Sequence, residues 1–289
     1  VKAYVKAPEQ LSRAMYRVAN ALERYALDDV FIVQEPAEAD LLVLHVIGRE
    51  ALELASKLGR RYAVIQYCTG GGADLAAWRP LWARAKLTWS YYDLAAHMPA
   101  GAEFYRAPMG LDPIFRQSIL PWPPGRDVGV LTSGYVNGRG QESIEEPTRA
   151  AQALGLEAVH LGPRPDGVSD DLTMRCYYKL ADTELRKLYH RCRWIAALRY
   201  VEGFEMPAAE GLACGARPIV FDRADMRDWY QDHAVFVPEC SGEMLTARLK
   251  RIMSKPPRPV TPEERAVVLE RFNWKTIIAG FWQRIKEGR

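Results

Sequence analysis

Apolar positions in this chain follow two alternating periods. The run DLLVLHVI (residues 40–47) is almost continuously apolar, the pattern of a strand buried on both faces of a parallel sheet. Ahead of it, Leu11, Met15, Val18, Ala19, Leu22 and Tyr25 recur at helical spacing. Taken along the first part of the chain, the pattern predicts strands over 1–5, 30–33, 40–47, 62–67, 87–91 and 104–108, with helices over 11–25, 49–58 and 78–85. The segment ILPWPPGRD (119–127) is rich in proline and glycine and reads as a linker. A second series follows, with strands over 128–132, 158–161, 174–178, 194–198, 217–221 and 234–237. Its helices are predicted over 143–153, 182–191, 207–214 and 242–253, and 262–271 and 274–286 close the chain. Strand and helix alternate throughout, which predicts α/β architecture: two Rossmann-like, doubly wound parallel-sheet lobes, 1–120 and 121–273. Such sheets bind ligands outside the carboxyl ends of their strands, so the expected site is the cleft between the lobes.

Composition narrows the class. The chain has 289 residues, of which 48% are hydrophobic, enough for two cored domains. The 39 basic against 36 acidic residues leave a net charge of +3, too weak to argue for a nucleic-acid partner on electrostatics alone. Cys68, Cys176, Cys192, Cys214 and Cys240 are odd in number and lack a C-x-x-C pair, which points to reduced thiols in a cytoplasmic protein and away from structural zinc. No charged stretch leading into an apolar segment marks a signal peptide, and no apolar run reaches the length of a membrane span. The aspartates form no D-x-D cluster, and Asp170–Asp171 read as a helix start, so no metal site is expected.

The chemistry concentrates in RYVEGFEMPAAEGLACGARPIV (199–220). A buried strand, WIAAL (194–198), leads into a loop. Pro207 suits a first helical turn, where its missing N–H costs nothing, and Gly215 suits the left-handed position after a helix end. The short helix between them points its amino end out of the sheet, an anion site by its free N–H groups and dipole. Gly203 lets a bound group approach the backbone. Glu210 lies about one turn in and can accept hydrogen bonds from a diol beside the anion, while Glu202 sits at the loop mouth. A phosphate with a sugar on each side would use all three features. The plainer reading makes Glu210 a helix-dipole partner and Glu202 a solvated loop charge.

EGFEMPAAEGLACGARPIV closely resembles the E-x7-E segment of retaining GT-B glycosyltransferases of the family 4-like, group 1 type, which runs roughly E-G-F-G-x-P-x-x-E-A-x-A-C-G-x-P-V-I. LADTELRKLYHRCRWIAALRYVEGF is similar to the family's preceding helix and strand, and VGVLTSGYVNGRGQES to its first carboxyl-lobe strand and phosphate loop. MGLDPIFR resembles the end of its first lobe, and RFNWKTIIAGFWQRI its closing helix, which crosses back onto that lobe; here it would be residues 274–289. The likeness covers Met109 onward well and the first hundred residues in outline. It implies that Glu210 binds the ribose of a nucleotide sugar and that Glu202 contacts the transferred sugar. Backbone groups of Gly203, Phe204, Glu205 and Met206 would hold the sugar and diphosphate. In the phosphate loop, after Ser133, Arg139 takes the family's Lys position and clamps the diphosphate, but Gly134 stands where the family has Arg. Cys176 to Tyr178 match a strand that reads the base, with Tyr178 in place of a small residue. Glu205 replaces a glycine, so its side chain would crowd or bond the donor sugar. Cys68 takes the place of a histidine facing the donor. His45, ending the preceding strand, could serve nearby or act as a structural hydrogen-bonding residue. The Thr69–Gly72 loop, with Gly70 at its centre, could approach a phosphate or serve as a linker.

The resemblance implies transfer of a sugar from a nucleoside diphosphate to an acceptor hydroxyl, with anomeric retention. Front-face attack, in which the departing phosphate takes the acceptor's proton, is favoured over a covalent intermediate on Glu202. Neither cofactor nor metal is implied beyond the nucleotide-sugar co-substrate. The first lobe would hold the acceptor, with Trp78 in the aromatic and basic segment WRPLWARAKLTWSYYD (78–93) offering a stacking face unless packing takes it. An envelope glycan, another polysaccharide, a lipid-linked sugar and a hydroxymethylated DNA base all stay open. Trp274, Phe281 and Trp282 beside Lys275, Arg284 and Lys286 suggest either packing on the first lobe or contact with the inner face of a membrane. A non-catalytic nucleotide-sugar-binding protein on the same scaffold is the alternative. Gly138-Arg139-Gly140 is too short a trace of G-x-G-x-x-G for a dinucleotide oxidoreductase.

Overall fold

The computed structural model describes residues 1–6, 13–47, 61–67, 75–117, 125–134, 142–200 and 203–288. The helix expected over 49–58 lies outside them. Contacts divide the chain into two compact units, Val1–Gly110 with Phe272–Arg289, and Leu111–Arg271.

In the first unit, β1 (Lys2–Tyr4), β2 (Phe31–Ile32), β3 (Leu41–Val46), β4 (Tyr62–Gln66), β5 (Thr88–Ser90) and β6 (Phe104–Arg106) form a six-stranded sheet in the order β2-β1-β3-β4-β5-β6. Every pairing in it is parallel. β4 is buried at every position, and its one polar residue, Gln66, accepts the Trp82 indole N–H at 3.1 Å. Helices α1 (Arg13–Arg24) and α2 (Leu75–Arg84) belong to this unit, and so does the closing helix, Trp274–Glu287. The closing helix buries Trp274, Ile277, Ile278, Phe281, Trp282 and Ile285, one stripe at helical spacing. Trp282 donates its indole N–H to the Leu22 carbonyl of α1 at 3.3 Å, and Phe281 packs on Trp89 at 5.7 Å. Gly110 exists because of Trp274: a Cβ there would stand 2.4 Å from the indole. These three aromatics are core, which removes them as a membrane-facing surface. Among the described residues no helix is long and apolar enough to cross a membrane.

The second unit begins at Leu111, ahead of the expected linker, because α3 (Pro113–Arg116) carries Phe115 into this unit's core against Val128, Leu188 and Tyr189. Arg265 fixes the same turn by donating to the carbonyls of Arg116 and Gln117, both at 3.0 Å. The strands are β7 (Val128–Ser133), β8 (Glu157–Leu161), β9 (Arg175–Tyr177), β10 (Cys192–Ala197), β11 (Arg217–Phe221) and β12 (Val235–Val237). They form a second six-stranded parallel sheet in the order β12-β11-β10-β7-β8-β9. The helices are α4 (Glu145–Gln152), α5 (Asp182–Arg191), α6 (Met206–Ala213), α7 (Ala224–Tyr230), α8 (Gly242–Met253) and α9 (Pro262–Arg271). Alternate residues of one strand serve opposite cores: Val130 and Ala196 pack with α4 and α8, and Leu131 and Ile195 with α5. Gly211 of α6 lets that helix sit against β10, since a Cβ there would lie 2.4 Å from Ile195. The chain steps outward from β7 to β8 and β9, then returns to the other flank of β7 as β10. The order reverses between β7 and β10, and doubly wound sheets bind their ligands at the carboxyl ends of the strands that flank such a reversal.

Candidate functional site

β7 ends at Ser133, and Gly134 follows with φ +103°, a conformation that favours glycine. A Cβ there would fall 1.7 Å from Glu142 Oε2, so that flexible carboxylate would have to move aside. The Glu142 carboxylate thus lies over the glycine backbone at the end of β7. Its Oε1 stands 3.0 Å from Nη2 of Arg199, two residues beyond β10. The two residues also form an antiparallel bridge through their backbones. On the other flank, Arg199 Nε is 3.1 Å from Glu205 Oε1, an ion-pair distance at which the N–H does not point at the oxygen. Glu205 is only 2% exposed. One guanidinium therefore lies between two carboxylates at the sheet reversal. The Glu205 side chain, expected at the donor sugar, turns to Arg199 instead.

The loop after Arg199 is strapped down by α7. Trp229 donates its indole N–H to the Gly203 carbonyl at 2.9 Å, Tyr230 its hydroxyl to the Glu205 carbonyl at 2.5 Å, and Arg223 a guanidinium N–H to the Tyr200 carbonyl. Phe204 is buried and stacks on Tyr230 at 6.0 Å, so its ring serves packing and leaves only its backbone for a ligand. α6 then starts at Met206 with Pro207 in its first turn, and Gly215 ends it at φ +86°. Glu210 of α6 is 2% exposed, and its Oε2 accepts the Tyr189 hydroxyl at 2.8 Å. Tyr189 reaches it from α5, fully buried against Phe115.

Beneath Gly134, His160 of β8 is fully buried, with Nδ1 2.9 Å from the Thr132 hydroxyl. Burial pushes its pKa down to about 4, against the opposing pull of the Gly134 carbonyl, so the ring is neutral at physiological pH. Tyr178, just past β9 at the same sheet edge, is 61% exposed, and Lys179 holds its ammonium 5.0 Å from the ring centre at φ +54°.

Ser133, Gly134, Gly203, Phe204, Glu205, Met206 and Glu210 all lie near the carboxyl ends of β7 and β10 or at the start of α6. Arg139, Glu202, Cys68 and Gly70 lie outside the described residues. In the first unit, both ring nitrogens of His45 are engaged. Nε2 donates to the Val5 carbonyl at 2.9 Å, which leaves Nδ1 to accept from the Tyr67 hydroxyl at 2.8 Å. Burial pushes His45 down to about 4 despite the Val5 bond, and these bonds tie together the ends of β1, β3 and β4. Trp78 is buried in α2 rather than displayed for stacking. Trp82, Trp89, Tyr91 and Tyr92 are buried too, with indole N–H groups satisfied internally by Gln66 and the Ala107 carbonyl. Packing therefore takes the aromatic segment. Sequence reasoning missed Glu142, Arg199 and Tyr189, and it missed the whole strap, although Met226, Trp229 and Tyr230 carry a detectable i, i+3, i+4 stripe.

No protein-family model and no curated protein matches this chain. Solved structures do. AviGT4, a glycosyltransferase involved in avilamycin A biosynthesis, is 13% identical with a TM-score of 0.67, over 99% of this chain and 96% of its own. HepE from Anabaena, solved in complex with UDP-glucose, is 11% identical with a TM-score of 0.68, over 99% of both chains. Sucrose-phosphate synthase from Thermosynechococcus elongatus is 14% identical with a TM-score of 0.64, over 86% of this chain and 73% of its own. With two helix-flanked, six-stranded parallel sheets and these likenesses, the chain has the GT-B fold found in glycosyltransferases.

Proposed function

We propose that this protein is a retaining glycosyltransferase that moves a sugar from a nucleoside diphosphate to an acceptor hydroxyl. The observation that carries the reading is the convergence at the β7/β10 reversal. Left-handed Gly134, the strapped backbone of Gly203–Met206 and the amino end of α6 meet there, with the buried Glu210 carboxylate one turn in. A diphosphate resting on the amino end of α6 would meet its N–H groups and dipole. Glu210 would take the ribose hydroxyls, and Glu202 the transferred sugar. Arg139 would clamp the diphosphate as it departs. Tyr178, exposed at the end of β9, would meet the base.

Chemistry in this reading is front-face attack, with the leaving phosphate taking the acceptor's proton and no metal required. The protein contributes position and a preorganised field for the charge growing on the diphosphate. HepE was solved with UDP-glucose, which makes UDP the first nucleotide to test. The acceptor would be a hydroxyl of an envelope glycan, another polysaccharide, a lipid-linked sugar or a hydroxymethylated DNA base, met by the first unit on the cytoplasmic side. One observation favours a non-catalytic nucleotide-sugar binder instead: a carboxylate, not a cation, covers Gly134. Release of UDP from UDP-glucose over hours separates the two, since a pure binder releases none.

The site itself is tested by thermal shift with UDP, GDP, ADP and their sugars. Ligand at a hundred times its Kd adds about 2.7 kcal/mol, or roughly 5–10 °C for a chain of this size. Glu210→Gln, which keeps volume and a hydrogen-bonding group beside Tyr189, should fold like the parent and lose that shift. No shift in the parent with any of these ligands, or an undiminished shift in the variant, overturns the reading.

A further inference from the structure

We propose that Tyr189 is a positioning residue for the nucleotide: its hydroxyl holds the Glu210 carboxylate from inside the core, so that a ribose meets a carboxylate already aimed. This rests on the functional reading above, deepens it at the same site, and assigns a residue to which the sequence resemblance gives no role.

The first observation is where the hydroxyl comes from. Tyr189 is fully buried, with its ring edge-on to Phe115 at 6.0 Å in the core that also holds Val128, Leu131, Leu188 and Ile195. Its hydroxyl donates to Glu210 Oε2 at 2.8 Å. The bond thus reaches the carboxylate from within the protein, from a ring that packing keeps in place. The second observation is a clasp between the two helices that carry the pair. Arg126 donates Nη1 to the Tyr189 carbonyl at 3.4 Å and to the Cys192 carbonyl, and Nη2 to the Cys214 carbonyl just past α6 at 3.2 Å. His190, the neighbour of Tyr189 on α5, donates Nδ1–H to the same Cys214 carbonyl at 3.0 Å. α5 and α6 are therefore tied at their carboxyl ends, just beyond the phenol and the carboxylate. The third observation is cost. Glu210 is 2% exposed, in a helix that also buries Ala208, Ala209, Leu212 and Ala213. A carboxylate among such neighbours is expensive, and packing alone would be served better by an apolar side chain. What an ionised carboxylate adds is acceptance of hydrogen bonds, and the bond at Oε2 fixes how the group is turned.

Orientation has a consequence that binding can read. A carboxylate held before the ligand arrives loses little rotamer freedom on binding, so its bonds to the sugar hydroxyls count nearly in full. Without the phenol, the ribose itself must order the carboxylate. The loss then falls on ligands that carry ribose hydroxyls and spares those that lack them. A phenol that only braces α5 against α6 would weaken both alike.

The test is isothermal titration with UDP and its dideoxy analogue, which lacks both ribose hydroxyls, run alongside GDP and ADP with theirs. The parent should favour the hydroxylated ligand by about 10–100-fold. Tyr189→Phe keeps the ring, and should narrow that ratio by about 3–10-fold through weaker binding of the hydroxylated ligand alone. Val128→Ala takes apolar volume from the same core and removes neither polar group, so it should lower the melting temperature and keep the parent's ratio. An unchanged ratio in Tyr189→Phe, or equal losses for both ligands, overturns the proposal and leaves the functional reading standing. The same narrowing in Val128→Ala overturns it too. A Tyr189→Phe chain that no longer melts cooperatively marks the hydroxyl as a structural prop and has the same force. A parent that binds diphosphates without telling the analogues apart removes the ribose contact of Glu210, and this proposal with it. A parent that binds none of the three diphosphates overturns the functional reading itself.

Discussion

His160 is a buried base that folding keeps neutral. Its ring is fully enclosed beneath Gly134, and burial lowers its pKa from 6.5 to about 4. The unfolded chain takes up this proton as pH falls below 6.5, while the folded chain refuses it until about 4. The contribution is therefore fully present above pH 6.5 and is lost as pH falls toward 4, because the unfolded state binds more protons in that window. His45 and His190 are lowered to about 4 by burial as well and act in the same direction. His160→Gln removes one of the three protons, so its plot of unfolding free energy against pH should be shallower than the parent's by up to about 1.4 kcal/mol per pH unit. Urea melts at pH 7, 6 and 5 measure it, and parallel slopes would refute the assignment. Residues whose role depends on near neighbours in sequence were legible in the same way. Gly203, Pro207, Gly215 and Glu210 announce a turn, a helix start, a helix end and a carboxylate one turn into the helix within one short window. Arg199 and Glu142 were not legible, because their contact joins positions far apart in sequence and exists only once β7 and β10 are neighbours.

Among the elements, α7 has the most specific consequence. It is short, and nothing ahead of it reads as a cap: Arg223 precedes it without a side-chain bond to its first turn. For that reason 224–230 reads as loop until the structure sets Trp229 and Tyr230 against the donor loop. The strands were legible because burial on both faces imposes mostly apolar runs on β3, β4, β7 and β11. The aromatic segment over 78–93 misled for a related reason. Trp and Tyr serve cores and sugar faces alike, and only the folded unit, which buries Trp82 and Trp89, decides between them. The strap has a direct test. Trp229→Phe keeps most of the apolar volume but deprives the buried Gly203 carbonyl of its donor, a loss of about 1 kcal/mol. The melting temperature should fall by about 2–4 °C, and amide exchange over 203–206 should quicken. If α7 aligns this loop for the donor, the thermal shift with UDP shrinks too. Exchange at the parent rate would show that the indole bond does not restrain the loop.

At the scale of the whole molecule, the two units differ in how they depend on continuity of the chain. The second is one uninterrupted segment, Leu111–Arg271, with a core on each face of its sheet and Phe115 and Arg265 closing its ends on each other. The first is completed only by residues from the far end of the chain. Six large side chains of the closing helix are buried in it, each worth about 1.5–3 kcal/mol, so their sum is on the order of 10 kcal/mol. That is comparable to the entire stability of an ordinary domain. A fragment ending at Gly110 should therefore lack a cooperative thermal transition, while the fragment Leu111–Arg271 should melt cooperatively and show dispersed NMR resonances. The second fragment also locates the nucleotide. If Gly134, the amino end of α6 and Glu210 bind it, UDP should raise the fragment's melting temperature by nearly as much as the full chain's. A well-folded fragment that UDP leaves unmoved, beside a full chain that it stabilises, would place essential binding groups in the first unit and sink the assignment of the donor to the second.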